Sequence, residues 1–262
     1  MKTLKEYIAS CMHNGKHFFT KDEAASELNL NQSQFQMQVW RLYQKKLVKN
    51  LGHGFFMIII PEYYHYGSLP PQTIIDPLMR HLGIEYYIGL LSAASLYGAT
   101  DQQPMVFQVI TSVQIKPITL ERGLIEFHYS KSCKNGLIEQ LTVPTGYVKI
   151  STKEQTMIDL VRYQSACGWL NNVASILKDL AAECTAQKLM KAIERESTET
   201  VLQRLGYILE YTGHNDLAKA IELELAKRSI RFTYLRPDSQ QKEGMRHNRW
   251  KLLINEPLEV EP

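Results

Sequence analysis

The run Asn31-Gln32-Ser33-Gln34-Phe35-Gln36-Met37-Gln38-Val39-Trp40-Arg41-Leu42-Tyr43-Gln44-Lys45-Lys46 decides how this chain is read. Phe35, Val39 and Leu42 recur at i, i+4 and i+7, the spacing of one helical face. Asn31 and Gln34 stand at capping-box spacing, in which the first side chain accepts a free helix N–H and the second reaches back. Thr20 and Glu23 repeat that spacing ahead of a helix over residues 21–28, and an earlier helix over 4–12 stops at Asn14-Gly15. Downstream, residues 47–51 and 55–60 flank Gly52-His53-Gly54, a hairpin pattern that ends at Ile60-Pro61. Helix, helix, polar helix, hairpin is the order of a winged helix-turn-helix, so the order predicts a nucleic-acid partner.

The polar stripe of the third helix, Gln34, Gln38, Arg41 and Lys45, lies opposite its apolar face. Glutamine suits an adenine edge, arginine a guanine edge and lysine a phosphate. Ser33 at the helix start, Lys49 in the hairpin and His53 at its tip complete the expected DNA-binding set. A solvated helix face is the plain alternative for such a stripe.

Bulk properties support the first reading. The chain has 262 residues, 44% of them apolar, enough for packed cores and too many for disorder. Residues 1–60 hold eight Lys and Arg against four Asp and Glu, which leaves the rest of a +3 chain at −1. A basic module on a near-neutral body suits contact with phosphate. Cys11, Cys133, Cys167 and Cys184 form no Cys-x-x-Cys pair, which argues against a zinc site or a disulfide framework. The start lacks the apolar stretch of a signal peptide, and the longest uncharged run, residues 86–100, is short for a membrane span. A reduced cytoplasmic protein is expected.

Residues 62–71, with three Tyr and two Pro, read as a linker or seam between a module of residues 1–61 and a larger domain of residues 72–262. A truncation starting near Gln72 is therefore expected to keep the second domain's function. Helical spacing begins at Ile74, Ile75, Leu78, Met79 and Leu82, and residues 86–97 read as a second, more buried helix. Residues 105–110, 125–129 and 147–150 are strand candidates. Ser151 with Glu154 reads as the cap of a helix carrying Met157, Ile158, Leu160 and Val161 inward. Further helices are expected over 170–180, 186–194, 200–211 and 216–227, then an extended pair at 232–235 and 250–254. The class is α+β, mostly helical: a winged helix followed by a larger, helix-rich mixed α/β domain.

Several segments behind the winged helix carry a resemblance. They are Leu91-Ser92-Ala93-Ala94-Ser95-Leu96-Tyr97-Gly98-Ala99-Thr100 leading into Gln103-Pro104, then Ile150-Ser151-Thr152-Lys153-Glu154-Gln155-Thr156-Met157-Ile158-Asp159-Leu160. Arg204-Leu205-Gly206-Tyr207-Ile208-Leu209-Glu210 and residues 250–255 follow in the same order and spacing. Together they resemble the AbiEi antitoxins of bacterial abortive-infection (type IV) toxin–antitoxin systems, over nearly the whole chain. The resemblance implies an N-terminal domain that binds inverted repeats in its own promoter and represses it. It implies a C-terminal domain that counters a nucleotidyltransferase-like toxin, acting against the toxin's effect without necessarily holding it in a stable complex. Many relatives carry Arg where Gln155 stands, so an ion pair from that position is not carried over.

Taken as plain chemistry, those segments read as structural. Ser92, Ala93, Ala94 and Gly98 allow close helix packing, as does Gly206. Asp159 is either a partner for Arg162 or Arg204 or an exposed acid. No catalytic residue, metal ligand or cofactor is expected. The chain lacks phosphate-loop, dinucleotide and nucleophile-elbow motifs, and no Asp or Glu is followed two residues later by Lys. Its one Gly-Ser, Gly67-Ser68, lacks the paired acids of a nucleotidyltransferase, and Glu194/Glu196, Glu222/Glu224 and Glu259/Glu261 read as solvated faces. His13/His17 is a poor metal pair. Arg228, Arg231, Arg236, Arg246 and Arg249 crowd a basic C-terminal stretch with Phe232, Tyr234 and Trp250. It reads as a nucleic-acid or toxin-facing surface, or as a charged, protected sheet edge. The expectation is a DNA-binding autorepressor and antitoxin of phage defence, partnered by double-stranded promoter DNA and a toxin, with no membrane. The alternative is a transcription factor whose C-terminal domain binds a ligand or oligomerises.

Overall fold

Three capping boxes organise the N-terminal region of the structure, a computed structural model that describes residues 3–100, 104–196 and 198–260. Lys2, Gln103 and Glu261, which figure in the sequence reading, lie outside them. Helix α1 (Leu4–His13) is boxed by Thr3 and Glu6, and strand β1 (Phe18–Thr20) leads directly into α2 (Lys21–Leu28), boxed by Thr20 and Glu23. Asn29, in the left-handed conformation, ends α2, and Asn31 with Gln34 starts α3 (Gln32–Gln44). Strands β2 (Val48–Gly52) and β3 (Phe55–Ile58) follow, and the three strands form an antiparallel sheet in the order β1-β3-β2. One face of that sheet, through Phe19, Val48, Phe56 and Ile58, packs on Leu4, Ile8, Leu28, Phe35 and Leu42 of the helices.

All four residues of β3 are buried, because its other face is covered as well. Leu51, Phe55, Met57 and Ile59 join one apolar cluster with Ile74, Ile75 and Leu78 of α4 (Pro71–Leu82). The unbroken apolar run from Phe55 to Ile60 is the sequence mark of a strand buried on both sides. The seam between the two regions is thus a continuous core, bridged around residues 61–70 and not separated by them.

Beyond α4 the chain builds a larger mixed α/β region. Strand β4 (Tyr86–Ile88) turns at Gly89 into α5 (Leu90–Leu96). This corrects the single helix expected over 86–97. Tyr86, Tyr87 and Ile88 are aromatic and β-branched, and they pair with strands on both sides. A Cβ at Gly89 would lie 2.9 Å from Ile110 Cγ1, so the turn needs glycine for close approach. Strands β5 (Val106–Thr111), β6 (Ile118–Leu120), β7 (Gly123–Tyr129), β8 (Ile138–Val143) and β9 (Gly146–Ser151) complete a six-stranded sheet ordered β6-β7-β5-β4-β9-β8. The β5–β7 and β4–β9 pairs are parallel and the other three antiparallel.

Helices α6 (Lys153–Arg162), α7 (Trp169–Ala182), α8 (Ala186–Ile193), α9 (Glu199–Tyr211) and α10 (Asn215–Leu225) pack into one apolar cluster with Tyr87 and Ile110 of the sheet. A small sheet of β10 (Thr233–Tyr234), β11 (Met245–His247) and β12 (Leu252–Ile254), ordered β10-β12-β11, closes the chain against α9. Trp250, fully buried, is seated there over Gly206. Among the described residues no helix is long and apolar enough to cross a membrane.

Candidate nucleic-acid interface

Helix α3 buries Phe35 and Leu42 and turns its remaining surface outward. Two of the expected readers already accept a backbone hydrogen bond. Gln34 Oε1 accepts from Asn31 N at 3.0 Å as the return half of the capping box. Gln38 Oε1 accepts from Leu4 N at 2.8 Å and so fastens the start of α1. Both lie on the α1 side of the helix. Met37 is two residues beyond Phe35, hence about 200° around the helix. The outermost ridge is therefore Ser33, Met37, Trp40, Arg41 and Gln44, of which Ser33, Arg41 and Gln44 are also exposed. Met37 is 50% and Trp40 62% exposed. Arg41 keeps its charge outward, with Nη2 3.4 Å from Met37 Sδ. Lys45 is exposed beyond the helix end, and Lys49 is half-buried in β2.

Met37, Trp40 and Gln44 were not among the residues expected from sequence. Of the expected stripe, Gln34, Arg41 and Lys45 are exposed and Gln38 is half-buried, and the exposed surface continues round the helix to these three. On the hairpin side, Gln36, Trp40 and Tyr43 border a groove of about 770 Å³ with Lys21, Lys49 and Asn50 opposite. His53 sits at the hairpin tip with φ 51°, between Gly52 and Gly54. Its carbonyl lies 3.0 Å from His81 Nε2, and the His81 ring stacks on Phe55 at 4.8 Å. The tip is thereby fastened to α4.

The C-terminal arginines divide into two groups. Arg228 Nη2 lies 2.9 Å from Glu224 Oε1, and its Nη1 donates to Glu196 O at 2.7 Å. Arg236 Nη1 lies 2.6 Å from Glu256 Oε2, with its guanidinium 4.2 Å above the Trp169 ring. Arg249 pairs with Glu222 at 2.6 Å and with Glu210, which also accepts from Trp250 Nε1. Arg228 thus ties the end of α10 to the end of α8, while Arg236 and Arg249 hold the small-sheet region to α7, α9 and α10. Hydrogen bonds from Lys227 and Arg228 hold Glu224 below the usual carboxylate range, and Arg249 does the same for Glu222. Arg231 and Arg246 are exposed, with Arg246 5.5 Å above Phe232. Glu196 and Glu224 are buried ion-pair partners, which corrects the solvated faces expected for them.

The segment from Ile150 to Leu160 supplies a second polar constellation, and it is internal. Thr152, not Ser151, caps α6, its side chain accepting from Gln155 N. Ser151 ends β9 and bonds Thr156 Oγ1 at 2.7 Å, so its hydroxyl is unavailable as a cap. Asp159 is buried and faces Arg162, which leaves the first of the expected alternatives and corrects the other two, an Arg204 partner and an exposed acid. It accepts from Tyr87 Oη at 2.9 Å and from Gln155 Nε2 at 3.1 Å, with Arg162 Nε 3.9 Å away. Gln155 also accepts from Leu137 N, so it bridges the loop and the acid where an arginine would carry charge. Arg204 instead donates to Tyr234 O at 3.1 Å.

Burial pushes the Asp159 carboxyl up to about 6, against the pull of Tyr87, Arg162 and Gln155. The folded protein then holds a proton that the unfolded chain releases near pH 4. The stability this group contributes is present below pH 4 and is lost as pH rises through 6, about 3 kcal/mol in all. Urea unfolding from pH 4 to 7 is expected to show that decline in the native chain and not in Asp159→Asn. Identical pH dependence of the two would contradict it.

Among the described residues no three His, Cys, Asp or Glu side chains come together to hold a metal ion. Residues 87–211 match the family described as the AbiEi antitoxin C-terminal domain. The chain carries an AbiEi antitoxin domain. That domain runs from β4 through α9 and contains the buried Asp159 constellation. The crystal structure of the RV2827C protein from Mycobacterium tuberculosis is similar in fold, with a TM-score of 0.69 and 15% identity over 94% of this chain and 89% of that one. The likeness therefore takes in the region ahead of the AbiEi domain as well. No curated protein matches the chain in sequence.

Proposed function

We propose that this AbiEi-type antitoxin is also a repressor of its own promoter. In this reading residues 1–61 are a winged helix-turn-helix that binds double-stranded DNA, with α3 in the major groove and the β2–β3 hairpin as the wing. Residues 72–262 counter the effect of a nucleotidyltransferase-like toxin. The observation that carries the DNA-binding half is the outward ridge of α3, a helix without a single acidic residue, with Arg41 on the ridge and Lys45, Lys46 and Lys49 following the helix end. The family match supports the antitoxin half.

Arg41 is the basic residue of the ridge and is exposed. Arg41→Ala is expected to weaken binding to the duplex upstream of the chain's own reading frame by about 1–3 kcal/mol. A titration by gel shift measures it, with an unrelated duplex as reference. No preference of the native chain for its upstream duplex would overturn the repressor reading.

A further inference from the structure

The ridge of α3 is unusual for a helix expected in a polar groove: its most prominent side chains are apolar. Met37 and Trp40 are three residues apart on the outer surface, and both are at least half exposed. Tyr43, 54% exposed, continues the patch toward the hairpin. Scattered exposed apolar residues need no explanation, but a contiguous patch marks a partner. The partner's charge is indicated by what borders the patch: Arg41 and Lys45 on one side, Lys21 and Lys49 across the groove on the other. A cationic rim around an apolar crest suits a polyanion that offers apolar groups between two rows of phosphates.

In the major groove one natural base has such a group. Thymine projects its C5 methyl, whereas adenine, guanine and cytosine present only donors, acceptors and ring hydrogens. We propose that Met37 and Trp40 read thymine methyls, so that the DNA site of this protein is defined by thymines under the centre of α3. Arg41 and Gln44, beside them on the ridge, are left to bond neighbouring purine edges. The inference rests on the DNA-binding reading above and adds what is recognised.

The test compares two duplexes of the chain's own upstream region, one with thymine and one with deoxyuridine at every such position. They differ only in the C5 methyl and keep the same base pairing. Fluorescence anisotropy with the full-length chain is expected to give about four-fold weaker binding for each methyl covered, about ten-fold or more for two. Met37→Ala with Trp40→Ala, both at exposed positions, is expected to bind the two duplexes equally. Equal affinity of the native chain for both duplexes would overturn the methyl reading and leave DNA binding intact. A difference that persists in the double variant would overturn the assignment to these two side chains. No preference for the thymine duplex over unrelated DNA would overturn the DNA-binding reading itself, and this inference with it.

Discussion

Gly206→Ala is expected to destabilise the protein by about 3 kcal/mol, because the added methyl has no room in the C-terminal core. A Cβ there would lie 2.7 Å from Cε3 of Trp250 and closer still to Cζ3 and Cη2. Neither side can yield cheaply. Gly206 is in the middle of α9, fully engaged in the helical cluster, and Trp250 is fully buried, with its Nε1 donating to Glu210 one turn along α9. Displacing the indole also pulls on Arg249, whose pairs with Glu210 and Glu222 tie the small sheet to α9 and α10. Ordinary helix propensity would favour alanine by about 1 kcal/mol, so the sign of the effect separates the two accounts. Denaturant unfolding of the variant measures it. A stability equal to or above that of the native chain would show that the indole does not rest on the helix backbone.

Met57→Ala is expected to cost about 2–5 kcal/mol and to leave unfolding a single transition. Met57 is fully buried in β3, on the face that joins Leu51, Phe55 and Ile59 to Ile74, Ile75 and Leu78. If the N-terminal region folds as one unit with the rest, loosening this seam lowers the whole curve. Tryptophan fluorescence, with Trp40 before the seam and Trp169 and Trp250 after it, is expected to superimpose on circular dichroism. Two resolved steps would mean that the regions unfold independently. The same seam bears on truncation. A chain starting near Gln72 would lose the apolar cover of α4, so it is expected to be less stable than the linker reading of residues 62–71 implies.

How much of this was legible in the sequence follows from the range of the forces involved. The capping boxes at Thr20–Glu23 and Asn31–Gln34 are local chemistry, and the structure has both. The apolar face of α3 was readable from spacing alone, as were the strand candidates around Val109, Phe127 and Val148. What escaped depends on partners far along the chain. Tyr86 to Ile88 is too short to separate strand from helix by periodicity, and its pairing with β5 and β9 decides. Strand β8, with Ile138, Glu139 and Gln140 exposed, lies at the sheet's edge, where few positions need to be apolar. Gln38 looked free for DNA, yet it bonds a backbone N–H thirty-four residues away. Arg228, Arg236 and Arg249 looked like a basic surface because their carboxylate partners lie on other elements. On α3 the exposed surface takes in Ser33, Gln34 and Arg41 of the expected set and extends to Met37, Trp40 and Gln44, which spacing alone did not single out.

The central claim is that repression belongs to the ridge of α3 and antitoxicity to the rest of the chain. One measurement meets it most directly: Arg41→Ala in cells that carry both a reporter behind the chain's own promoter and a toxin of the proposed nucleotidyltransferase-like type. Arg41 is exposed and its guanidinium meets Met37 of its own helix, so its removal leaves the apolar core untouched. The account predicts that the reporter is derepressed while the cells still survive toxin expression. Retained repression together with lost survival would contradict it, because the exposed face of α3 would then serve neutralisation and not DNA.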